Sequence, residues 1–152
     1  MSDPISFTSA SPRFGLPLLF AGQAQKEFFV NEAHSLTDAL LHPAIEGEAV
    51  APPATPAEGE TWLIGEAPSG IWADHAGELA SYQAGAWLYA APRDGIRVLD
   101  RSTGQEILFR AGWRRPATPA EPSGGATIDS EARAAIGELI AALVEGGFLA
   151  QA

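Results

Sequence analysis

Glycines at positions 65, 70, 77, 85, 95 and 104 cut the middle of this chain into short apolar runs, leaving room only for short elements. The runs are Thr61-Trp-Leu-Ile, Leu79-Ala-Ser-Tyr, Ala86-Trp-Leu-Tyr, Ile96-Arg-Val-Leu and Glu106-Ile-Leu-Phe-Arg. They are rich in aromatic and β-branched residues and bounded by turn formers, which predicts a small antiparallel β meander or barrel over residues 45–113. Ala84-Gly85 and Thr103-Gly104 are the expected hairpin turns. The proline-rich stretch Pro52-Pro-Ala-Thr-Pro enters this section as a further turn.

Helical periodicity flanks the β section on both sides. Residues 23–41 read as a helix that Pro43 ends. On a wheel of 100° per residue, Phe29, Ala33, Leu36 and Leu40 fall within about 60° of one another, the spacing of a buried face. Ahead of it, residues 1–12 read as an extended arm, broken by Pro4 and Pro12. Residues 116–127 are Pro-, Ser- and Gly-rich and read as a linker. Their opening Pro-Ala-Thr-Pro-Ala-Glu also occurs at 53–58, a coincidence of an Ala/Pro-rich chain. A second helix is expected within residues 128–149, capped by Thr127 or Asp129 and stopped by Gly146-Gly147. Its Ala132, Ile136, Leu139 and Leu143 follow heptad spacing over a length too short for a lone coiled coil. It therefore packs back on the domain or assembles with copies of itself or a partner. The expected class is α+β: an N-terminal arm and helix, a small antiparallel β meander or barrel, and a C-terminal helix. The attachment domain would run over residues 13–115.

With 46% apolar residues among 152, the chain can bury a core and suits one compact domain plus a tail. It has no cysteine, which removes disulfides, thiolate metal sites and a thiol nucleophile. The start, Met-Ser-Asp-Pro-Ile-Ser, has neither a basic nor an apolar leader region, so synthesis in the cytoplasm is expected. No apolar run reaches the ~18 residues of a membrane span. A net charge of −10 argues against nucleic acid as a partner. That charge is uneven: residues 1–92 hold eleven acids against two bases, whereas residues 93–115 hold six arginines against three acids. The unevenness is either a solvated surface pattern or a pair of complementary faces. Arginine without lysine in the second stretch favours an interface, with Arg93, Arg97 and Arg101 as its residues.

A search for reaction chemistry finds little. His34, Asp38 and His42 share one helix face, but three residues along one helix cannot wrap an ion, and they read as a solvated stripe. His75 beside Asp74 reads as a turn residue. No nucleophile elbow, catalytic triad, phosphate loop or dinucleotide fingerprint is present. The expectation is a protein that is not an enzyme, with no catalytic residues, no metal and no cofactor. Trp62, Trp72, Trp87, Trp113, Tyr82 and Tyr89 crowd the β section. They fill a small core, or some of them stack on sugar rings, with Trp72 and Tyr82 the expected exposed pair.

The block from Arg13 to Ala33 sets polar residues between two apolar groups, a composition that needs packing partners and offers no reactive groups. It reads as a docking element, with Arg13, Phe14, Leu16, Gln23, Gln25, Lys26 and Asn31 as contact residues. Ile136, Leu139 and Leu143 of the second helix join them. Within and beyond this block, Phe14-Gly-Leu-Pro-Leu-Leu, Ala21-Gly-Gln-Ala-Gln-Lys-Glu, Asn31-Glu-Ala, Trp62-Leu-Ile-Gly and Gly85-Ala-Trp-Leu-Tyr-Ala-Ala-Pro-Arg-Asp-Gly stand out. In these the chain resembles an alphaproteobacterial family of unknown-function domains found in prophage and gene-transfer-agent structural proteins, including tail fibres and head spikes. The resemblance covers residues 8–113.

In tail fibres of that family, the domain looks like an attachment module ahead of a long receptor-binding region. Here only one short helix follows, so the chain is similar instead to the base of a gene-transfer-agent head spike. The resemblance implies a virion-type adaptor between a capsid protein at the vertex and a spike fibre protein, placed on the outside of a phage-like particle. It implies a homo-oligomer, a pentamer in the first place and a trimer in the second. The alternative from another class is a carbohydrate-binding module for host cell-surface polysaccharide, acting through Trp72 and Tyr82.

Overall fold

The computed structural model describes residues 9–22, 26–120, 122–124 and 129–150. Gln23, Gln25, Thr127 and most of the expected arm lie outside them. The fold is α+β, and its sheets are not closed into a barrel. The chain divides into two compact units, Met1–Pro92 and Arg93–Ala152.

The first unit holds α1 (Lys26–Leu40), β1 (Ala44–Ile45), β2 (Glu48–Ala49), β3 (Thr61–Ile64), a 3-10 turn (Gly70–Trp72), β4 (Leu79–Gln83) and β5 (Ala86–Ala90). Strands β2 to β5 form a sheet in sequence order. Strand β3 pairs antiparallel with β4 (Thr61 opposite Ser81), and β4 with β5 (Ser81 opposite Leu88). Strand β2, however, runs parallel to β3, with Glu48 opposite Leu63, which departs from the all-antiparallel expectation. The cause lies in the connection. Parallel neighbours need a crossover in place of a hairpin, and the prolines at 52, 53 and 56 carry the chain round before Thr61.

Alternation along the strands sends Thr61, Leu63, Leu79, Ser81 and Gln83 to one face, and all five are buried. Helix α1 packs there, held by Gln83 Nε2 donating to the Ser35 carbonyl at 3.2 Å. The other face buries Ile64 and Ala80 beneath Trp72, with Trp62, Trp87 and Tyr89 packed around them. The Trp72 ring meets Trp87 edge-on at 5.1 Å. Trp72 is therefore 0% exposed and corrects the expectation of an exposed ring. The 3-10 turn folds back over the sheet and delivers the largest side chain of its loop into the core. Tyr82 is half-buried against Trp87.

The second unit holds β6 (Arg97–Asp100), β7 (Gln105–Phe109), β8 (Trp113–Arg114) and α2 (Ser130–Glu145). The three strands are antiparallel neighbours, with Leu108 of β7 flanked by Arg97 of β6 and Arg114 of β8. Val98, Ile107 and Leu149 are buried apolar residues among those described in it. Asp129 caps α2 by accepting from the Ala132 amide at 2.9 Å, and Gly147 (φ 74°) turns the chain out of it. The segment after the helix returns to β7, where the Glu106 amide donates to the Gly147 carbonyl and Gln105 Nε2 to those of Pro116 and Phe148.

The β4–β5 turn has φ of 52° at Ala84 and 77° at Gly85, the positive pair of a type I′ turn. The Glu58 carboxylate accepts both turn amides, at 2.7 and 3.2 Å. Only the alanine is out of place there, because its Cβ resists this conformation. Replacing Ala84 by Asn should stabilise the first unit by roughly 0.4–1 kcal/mol, read as a raised denaturant midpoint with unchanged slope.

Candidate functional site

Segment 9–20 ahead of α1 turns back on itself around residues 12–14, with a bridge from Ala10 to Pro17 and backbone bonds from the Ser11 amide to Leu16 and the Leu18 amide to Ser9, and it joins neither sheet. Its backbone amides and carbonyls still need partners once covered. Helix α1 supplies them through a polar stripe, Glu27, Asn31, His34 and Asp38, spaced 4, 3 and 4 residues apart. Glu27 Oε1 accepts the Gly22 amide at 3.1 Å. Asn31 bonds both ways with Leu19, accepting its amide at 2.8 Å and donating to its carbonyl at 3.0 Å. His34 Nδ1 lies 3.0 Å from the Pro17 carbonyl, so that nitrogen carries the proton.

Asp38 is the centre of this arrangement. It is 0% exposed, and its carboxylate accepts from Ser11 Oγ at 2.6 Å, the Arg13 amide at 3.0 Å and the Phe14 amide at 2.7 Å. The Arg13 guanidinium completes the latch from the other side. It donates to the carbonyls of Asp38, Ala39 and His42, at 3.0, 2.7 and 2.6 Å. These are carbonyls that the end of a helix leaves without partners, and a cation also suits that end of the dipole.

The consequence for the opposite face is geometric. Phe29, Ala33, Leu36 and Leu40 repeat the polar stripe two residues later, which is 200° round the helix. They point away from the unit: Phe29 is 78% exposed and Leu40 38%, Ala33 is exposed and Leu36 half-buried. This reverses two sequence expectations. The apolar stripe is not the buried face, and of the stripe expected to be solvated Asp38 is buried and His34 half-buried, while His42 is exposed. Polar partners for the amides and carbonyls that the turned segment leaves open outweigh the apolar burial that periodicity suggests.

The expected contact residues fall into distinct groups. Arg13 and Asn31 have their polar groups committed within the chain. Phe14 is exposed beside the His42 ring at 5.7 Å, Leu16 is half-buried, and Lys26 is exposed at the start of α1. Arg93, Arg97 and Arg101 are all exposed, and Arg97 lies 3.8 Å from Glu106. On α2 no residue is buried: Ile136 and Leu139 are exposed and Leu143 is half-buried. Phe28 and Phe29 are exposed apolar residues absent from the sequence-derived set. Adjacent phenylalanines on one helix were the available signal, since one face cannot bury both.

Elsewhere, His75 Nδ1 lies 2.8 Å from Glu78 Oε2, and the imidazole stacks on Tyr89 at 3.6 Å. The Tyr89 hydroxyl donates to the Ile71 carbonyl, and burial, then the Glu78 charge, raises its pKa. These contacts tie the 3-10 turn to β5. Among the described residues no cluster of three or more metal-ligating side chains occurs, and no helix is long and apolar enough to cross a membrane.

Truncating Asp38 to Ala would strand three donors, one buried and two part-buried, at about 1–3 kcal/mol for each that water does not recover. The expected loss is roughly 3 kcal/mol in calorimetric unfolding, far beyond the ~0.5 kcal/mol of an exposed position.

No curated protein and no solved structure matches the chain. A family model described as "Protein of unknown function (DUF2793)" matches residues 30–114, from the middle of α1 to the end of β8. That span is more than half of the chain and includes Asp38, the outward stripe from Ala33 onward and the whole β section; the chain belongs to the DUF2793 family.

Proposed function

We propose that this protein is a structural adaptor that works through contact surface: the base of a head spike that joins a capsid protein at a vertex to a spike fibre protein in a gene transfer agent or phage-like particle. The observation that carries the adaptor reading is the orientation of α1. A helix that buries Asp38 and exposes Phe29 and Leu40 leaves most of its apolar stripe uncovered among the described residues. Exposed apolar stretches of this kind mark interaction sites. The assignment to a particle rests on the motif resemblance of residues 8–113.

Two further surfaces support the reading. Ile136 and Leu139 of α2 form a second outward apolar stripe. Arg93, Arg97 and Arg101 are exposed in a chain whose first 92 residues carry a large excess of acids. A ring of identical subunits sets one face against a different face of its neighbour, and complementary charge fixes the register of such a contact. The polysaccharide alternative is weaker, because the buried Trp72 ring has no face for a sugar.

Replacing Phe29, 78% exposed, by Ser should leave the stability within about 0.5 kcal/mol of the parent. The same variant should be missing from purified particles when co-expressed with the other particle proteins, as read by mass spectrometry and electron microscopy. Normal incorporation would remove α1 from the interface. Particles that never contain the parent chain would remove the spike reading.

A further inference from the structure

The second unit carries a groove of about 300 Å³ whose apolar lining includes Leu108, Leu143, Phe148 and Leu149. Two arginines stand at its edge. Arg97 and Arg114 lie on either side of Leu108 in adjacent strands, which sets their Cα atoms about 10 Å apart. Glu106 lies 3.8 Å from Arg97 and offsets part of that charge, so the groove is apolar with a net positive edge. Such a groove suits an aliphatic side chain with a carboxylate beside it.

The first unit presents a group of that kind. Strand β2 is an outer strand of its sheet, and just beyond it Val50 is 51% exposed. Glu48 and Val50 lie across Gly65, where a Cβ would fall 3.0 Å from Glu48 Oε1 and 3.3 Å from Val50 Cγ1. Glycine at 65 thus leaves room for both side chains to sit against the end of β3. Glu66, the next residue, is exposed. The Ser69 amide and hydroxyl both bond the Val50 carbonyl, at 2.8 and 3.3 Å, which holds the Glu66–Ser69 loop beside the ridge. The result is a half-exposed aliphatic side chain on an acid-rich unit, with the exposed Glu66 in the loop beside it.

We infer that the Val50 ridge of one copy docks in the Arg97–Arg114 groove of a second copy, with Val50 against the apolar lining and Glu66 against Arg114. This rests on the adaptor reading and deepens it. Ridge and groove are different surfaces, so the contact is heterologous and repeats from copy to copy until a ring closes. Charge complementarity selects this occupant: the loop beside Val50 carries the exposed Glu66, the groove edge has an excess of guanidinium, and residues 1–92 carry eleven acids against two bases.

The test is sedimentation velocity of the full chain at low salt, with charge-swap variants. Glu66→Arg and Arg114→Glu should each weaken self-association by roughly tenfold or more, with unfolding midpoints unchanged. The chain carrying both changes should recover most of the loss, because the pair is restored with its signs exchanged. Single variants that associate like the parent overturn the inference, and so does a double variant that recovers nothing. A parent that stays monomeric overturns it as well, whatever its incorporation into particles, which is the separate readout of the adaptor reading. If Arg114→Glu blocks particle incorporation yet leaves self-association intact, the groove takes another protein and the self-docking is wrong.

Discussion

A single buried carboxylate organises the N-terminal half of this protein. Asp38 collects donors from Ser11, Arg13 and Phe14, while Arg13 binds the carbonyls at the end of the same helix. Neither half of the latch stands alone. A buried carboxylate without its donors, or backbone amides without an acceptor, would each carry a desolvation penalty with nothing to offset it. Together they fix the turned segment ahead of α1 as a layer against the helix. Gln83 then ties the helix to the sheet through the Ser35 carbonyl.

The functional surface follows from that latch. Because the polar residues of α1 are used inward, the apolar ones face outward, and no change in the β core could reverse this without orphaning the segment ahead of the helix. The outward stripe is thus a by-product of how the arm is satisfied. It gives the molecule an apolar surface on a rigid element, the kind of support that a precise contact needs. The charged surfaces act differently. Exposed arginines and acids contribute little to affinity singly and more to orientation and partner choice.

Much of the architecture was legible from residues alone. The strands β3, β4 and β5, the Ala84-Gly85 turn and α2 with its Asp129 cap follow from turn glycines, alternation and capping chemistry, which act within a few residues. What was not legible depends on partners far away in sequence. A 4-3-4 stripe locates two faces of a helix but does not say which one is inside. Deciding that requires knowing that Asp38 meets residues more than twenty positions earlier. Trp72 was misplaced for the same reason, since its loop is drawn over the sheet by contacts with Trp87. The parallel β2–β3 pair escaped because a proline-rich connection reads as a turn whichever way the next strand runs. The groove in the second unit needs the return of Phe148 and Leu149 to β7, which spacing does not reveal.

The orientation of α1 can be measured directly, because the chain has no cysteine of its own. Single Ala33→Cys and Ser35→Cys variants place a thiol on the outer and inner sides of the same helix, one exposed and one buried. In dilute native protein, the thiol at 33 should react with a small maleimide at nearly the rate of a free thiol. The thiol at 35 should react on the order of a hundred times more slowly, since it needs a local opening of the structure. Equal rates, or a faster reaction at 35, would contradict the inward polar face and the outward apolar one with it.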